Sequence, residues 1–177
     1  MRSVLAAGAT VLAIMSIQPL FAQTAPERQQ PSTAMAAPAG QEFMQKAAMS
    51  DMLEIESSQL ALKSDNAKTK QFAQRMIKDH TATSTELKAL VSEGKVKGAL
   101  PPALDKVHQD KIAALAKLSG PELTKAYNAM QVAAHTEAVA LFERYAKSGD
   151  NAALKAFAAK HLPHLQEHLK LAQALDK

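Results

Sequence analysis

The stretch SGPELTKAYNAMQVAAHTEAVALFERYAKSGD, Ser119 to Asp150, decides the fold. Its apolar residues Tyr127, Met130, Ala134, Leu141, Phe142 and Tyr145 fall on steps of three and four, the period of a helix buried along one face. Ser119 stands where a capping side chain belongs, and Pro121 falls in the first turn, where its missing N–H costs nothing. Ser148-Gly149-Asp150 reads as a tight turn. The predicted helix, ending at Lys147, rises about 40 Å. An apolar stripe of that length needs partners of similar length.

Both flanks supply them. Downstream, Asn151 to Leu175 reads as a helix carrying one internal proline, Pro163, which predicts a kink. Upstream, Gln41 to Ser64 shows Phe43, Ala47, Met52, Ile55, Gln59 and Leu62 at helical steps. Ser64-Asp65-Asn66 turns the chain into a second helix, Ala67 to Ser92, with Phe72, Met76, His80, Leu87, Leu90 and Val91 inward. Gly94 and Gly98 stop it and Pro101-Pro102 opens the next element. Ala103 to Leu118 is a shorter amphipathic helix. Two long hairpins joined by a connection of this kind predict a ferritin-like bundle of four long helices, with the short extra helix riding on the crossover.

Composition agrees with an all-α reading. Aromatics are 4% of the 177 residues, and no stretch alternates Val, Ile, Thr and Tyr as strands do. The net charge of +4 comes from seventeen Lys and four Arg scattered singly, with no basic patch interleaved with aromatics, which excludes a nucleic-acid binder. The absence of Cys removes disulfides, thiolate metal sites, Cys nucleophiles and a lipidation site.

Residues 1–22 read as a secretory signal peptide. Arg2 gives the positive start, Val4 to Ile17 the apolar run, and Leu20-Phe21-Ala22 the cleavage position before Gln23. The run is short for a membrane span of about 20 residues, and Pro19 sits near its end. Residues 23–40, QTAPERQQPSTAMAAPAG, read as a flexible tether, and 41–177 as the helical domain. The expectation is a periplasmic protein, soluble or loosely envelope-associated, with no membrane span after signal cleavage.

Six histidines, His80, His108, His135, His161, His164 and His168, all lie in the helical part. Glu54 and His80 are about equally far from the first turn, which places them within roughly 5 Å of one height. His135 lies about a dozen residues before the second turn, His161, His164 and His168 follow it at comparable or greater distance, and the last three share one helical face. Each long helix thus offers one ligand-type side chain to the middle of the bundle. The expected metal set is Glu54, His80, His135 and His168, with Asp79, Gln131 and His164 as supporting or alternate residues. Three imidazoles and a carboxylate suit one divalent ion: zinc, iron or copper. Met44, Met49, Met52, Met76 and Met130 raise copper(I), although methionine at helical spacing is ordinarily core. No Glu-x-x-His occurs, which excludes a di-iron carboxylate site. Each histidine also has an ordinary reading, as a hydrogen-bonded core group or a helix-end cap.

Four segments carry a resemblance: LEIESSQLAL (Leu53 to Leu62), FAQRMIKDHT (Phe72 to Thr81), AYNAMQVAAHTEAVALF (Ala126 to Phe142) and LKAFAAKHLPHLQEHLKLA (Leu154 to Ala172). The chain resembles the bacterial domain-of-unknown-function family 4142, exported ferritin-like proteins that carry the label predicted outer membrane protein. The resemblance places the family's polar positions on Glu54, Asp79, His80, Gln131, His135 and His168. Where the family has Phe-Asp ahead of the tyrosine, this chain has Leu123-Thr124. The label fits an all-α chain without Cys poorly, because outer-membrane spans are closed β-barrels. Family membership implies a fold and export, and supplies no activity.

Three functions match these residues. The first is a non-enzymatic, stress-related periplasmic domain with a single-metal site. The second is a metal-dependent enzyme at that site, although no nucleophile motif accompanies it. The third is a histidine-based pH-responsive envelope protein. A tether and a mildly basic surface are compatible with an envelope protein or cell-wall partner.

Overall fold

The computed structural model describes residues 37–177. The signal-peptide reading, and the tether reading as far as residue 36, lie outside them. The described chain is all-helical, without strands: α1 (Gly40–Ala61), α2 (Ala67–Ser92), α3 (Lys106–Leu115), α4 (Gly120–Ser148) and α5 (Ala152–Ala172). Among these residues no helix is long and apolar enough to cross a membrane.

Each helix begins and ends for local reasons. The side chains of Asn66, Asp105 and Asn151 accept from the backbone N–H groups of Thr69, His108 and Leu154 at 3.0, 2.9 and 3.0 Å, capping α2, α3 and α5. Ser119 holds the cap position of α4 but makes no capping side-chain bond, so that end relies on Pro121 in the first turn. The stop after α2 is Gly94, whose φ of 71° turns the chain so that the Val96 N–H returns to the Leu90 carbonyl at 3.1 Å. Pro163 lies inside α5, which continues through it.

The long helices form two hairpins, α1 with α2 and α4 with α5. They meet chiefly through α1 on α4, and more thinly through α2 on α5. Two dry clusters fill the interior. One gathers Phe43, Met44, Leu87, Phe142, Tyr145, Leu154 and Phe157; the Phe43 and Tyr145 rings stack 4.0 Å apart. The other gathers Ala61, Phe72, Met76, Leu115, Leu123, Tyr127 and Ala172. Along every long helix the residues of one cluster lie on one side of a buried polar level and those of the other on its far side. That level holds Asp51 and Glu54 on α1, His80 on α2, Gln131 and His135 on α4, and His168 on α5.

The buried line of α1 departs from the sequence expectation. Phe43 and Ala47 are buried as read, but the line continues through Asp51, Glu54, Ser58 and Ala61. Met52 and Ile55 are half-buried, Gln59 is exposed, and Leu62 is 37% exposed. Polar residues replace apolar ones on the inner face because their partners are there: Ser58 Oγ and Tyr127 Oη lie 2.8 Å apart, and Asp51 meets His80.

Candidate metal centre

The four long helices all deliver side chains to the polar level. The His80, His135 and His168 rings form a nearly equilateral triangle, with centroids 5.5, 5.6 and 5.4 Å apart. All three are at most 3% exposed, and each offers one nitrogen to a set whose members lie within 4.8 Å of one another. This trio is a group that can hold a metal ion.

The outward nitrogens fix which inner ones are free. His80 Nδ1 donates to Asp51 Oδ1 at 2.8 Å, His135 Nδ1 donates to the Gln131 carbonyl at 2.9 Å, and His168 Nε2 donates to Asp79 Oδ2 at 3.0 Å. A carboxylate or carbonyl can only accept, so each bond places a hydrogen on the outer nitrogen. The opposite atoms, His80 Nε2, His135 Nε2 and His168 Nδ1, are buried without a hydrogen-bond partner among the described residues, as are both Glu54 carboxyl oxygens and Gln131 Oε1. Leaving one such atom unmet costs about 1–3 kcal/mol. Three imidazoles that each bring an unmet nitrogen into one buried trio are expensive to leave so.

Glu54 approaches from α1, its Oε1 3.5 Å from His135 Nδ1, and is 1% exposed. Burial pushes its carboxyl up to about 7, against the pull of a charged His80. Burial alone would lower His80, but the hydrogen bond and charge of Asp51 outweigh it, and His80 is held above its usual range. Burial, then the charge of His80, pushes His135 down to about 3 and His168 down to about 4. Two of the three imidazoles are therefore neutral near pH 7, the form that binds metal.

The residues expected from sequence divide cleanly. Glu54, His80, His135 and His168 meet at one level. Asp79 lies beside it and orients His168, while Arg75 Nε donates to the same Asp79 Oδ2 at 3.2 Å and Arg75 Nη1 to Glu167 Oε1 at 3.1 Å. Gln131 contributes its carbonyl to His135 and its side-chain amide to Ser57 Oγ at 3.2 Å. His164 is exposed and outside the trio; His161 turns to Glu86 at 2.9 Å; His108 is half-buried beside Asp105. Met44 and Met76 belong to the dry clusters.

Asp51 was not expected. It is 3% exposed, orients His80, and accepts a second bond from Ser84 Oγ at 3.1 Å. The available signal was its spacing: three residues before Glu54, on the same face of one helix.

No match to this chain was found among curated proteins or among solved structures. A protein family does match, described as Domain of unknown function (DUF4142), over residues 25–175. That span takes in all five helices and every residue of the polar level, and the chain belongs to this family.

Proposed function

We propose that this chain is an exported, periplasmic protein built as a ferritin-like four-helix bundle, whose role is to bind one divalent metal ion. His135 and His168 supply two neutral imidazoles, His80 a third once it gives up its proton, and Glu54 the carboxylate from the α1 side. The observation that carries this reading is the convergence of three buried histidines, each with one nitrogen that meets no partner and each oriented from behind by a carboxylate or carbonyl. Metal-bound histidines have this arrangement, because an acceptor on the outer nitrogen fixes the ring and raises its basicity. Nitrogens around a tetrahedral zinc sit about 3.3 Å apart, so the trio closes on an ion by small side-chain shifts. Zinc, iron(II) and copper(II) all accept imidazole with carboxylate.

Metal content tests the proposal. The mature protein purified from its native compartment should carry one equivalent of metal, and the His80→Ala/His135→Ala variant none. A wild-type protein that is folded but metal-free, and stays so after incubation with zinc, iron(II) and copper(II), would sink it.

Asp51 gives a finer test. Replacing Asp51 by Ala removes the acceptor that orients His80 while leaving every proposed ligand in place. Metal affinity should fall about 10–100-fold, measured by competition with a chelator.

A further inference from the structure

The polar level borders a cleft on its α2 and α5 side. A cleft of about 630 Å³ runs in between α2 and α5, lined by residues of those two helices alone, with His80 and His168 on its floor. This is where the two hairpins pack most thinly.

The walls of the cleft are chemically biased. Its one acidic lining residue, Asp79, is already engaged by His168 Nε2 and Arg75 Nε. Arg75 is spent on Asp79 and Glu167, and His161 on Glu86. Lys78 and His164 also line the cleft and are exposed, and neither makes a side-chain hydrogen bond or ion pair among the described residues. A free ammonium and a free imidazole thus stand over a floor made of two of the proposed metal ligands.

We infer that the bound metal keeps an exchangeable coordination position facing this cleft, and that a small carboxylate or oxyanion occupies it, drawn in by Lys78 and His164. The inference rests on the metal reading. With Glu54 approaching from α1 and the histidines from α2, α4 and α5, the direction left to an incoming ligand is the gap between α2 and α5. Zinc expands from four to five ligands readily, and an anion offsets the charge of a divalent ion in a low-dielectric site.

Cobalt(II) makes the test visible. The mature protein loaded with cobalt(II) in a non-coordinating buffer should show the visible bands of a histidine-ligated ion, and sodium formate should shift them saturably. Inorganic phosphate, run in parallel, separates a carboxylate preference from a general oxyanion site. Lys78→Glu, an exposed change on α2, should leave the formate-free spectrum intact and weaken formate binding by about fivefold or more. Bands that form but ignore both anions would overturn the inference while the metal reading stands. A formate response of equal strength in Lys78→Glu would also overturn it, because the anion would not be entering past Lys78. Absence of any cobalt bands would overturn the metal reading, and this inference with it.

Discussion

Zinc added in excess to the metal-free domain is expected to raise its melting temperature by about 10–20 °C, since a ligand present at about a thousand times its Kd stabilises by about 4 kcal/mol and a domain of this size gains roughly 3–5 °C per kcal/mol. The reason lies in what the apo core contains. His80 Nε2, His135 Nε2, His168 Nδ1 and the Glu54 oxygens are buried without partners, and an ion that bonds them relieves several desolvation penalties at once. The shift should vanish in His80→Ala/His135→Ala and reverse on adding a chelator to the wild type. The chelator arm matters because the double variant strips Asp51 and the Gln131 carbonyl of their bonds and can lose stability for that reason alone. A wild-type melting temperature indifferent to zinc, iron(II) and copper(II) would make the histidines structural.

Much of this centre was legible in the sequence, because heights in a hairpin follow from residue counts. Glu54 lies 10 residues before the Ser64–Asn66 turn and His80 14 after it, His135 13 before the Ser148–Asp150 turn and His168 18 after it, so 1.5 Å per residue brings each pair to within about 6–8 Å of one height. The boundaries of α2 were legible for a similar reason: a side-chain cap at Asn66 and a left-handed glycine at Gly94 are local signals. What was illegible is the inner face of α1. Apolar periodicity locates a buried face only when that face is apolar, and here Asp51, Glu54, Ser57 and Ser58 point inward. Their burial is tolerable because partners arrive from α2 and α4: His80 for Asp51, Gln131 for Ser57, Tyr127 for Ser58. Those partners are distant in sequence, so no window on α1 could contain them. His161 and His164 fail in the opposite direction. Helical spacing puts them on one side of α5 with His168, but only His168 joins the other two rings, although counting residues from the turn favours His164.

Acidification should release the metal. Between about pH 8 and pH 6 the affinity is expected to fall by more than about tenfold, because each ligand that must shed a proton weakens binding about tenfold for every unit below its pKa. Glu54, pushed up to about 7 by burial, must ionise to bind; His80, held above its usual range by Asp51, must become neutral. His135 at about 3 and His168 at about 4 are already neutral across this window and add no slope. The apo fold moves in the same direction with a smaller amplitude. A histidine with a depressed folded pKa contributes stability that is complete above its unfolded value of 6.5 and is lost as pH falls, and two do so here. Glu54 opposes them, since a carboxyl raised from 4.5 stabilises the fold at low pH and loses that contribution as pH rises toward 7. Between about pH 4.5 and 6.5, where His80 is protonated in the folded and unfolded chain alike, two protons taken up preferentially by the unfolded chain outweigh the one held by the folded chain at Glu54, a net slope of at most about 1.4 kcal/mol per pH unit. Urea midpoints of the apo protein at about pH 6 and about pH 5 measure the second effect, and chelator competition at about pH 8 and about pH 6 measures the first. Affinity that does not change between them would mean that neither Glu54 nor His80 gives up a proton to the metal, which would remove both from the ligand set.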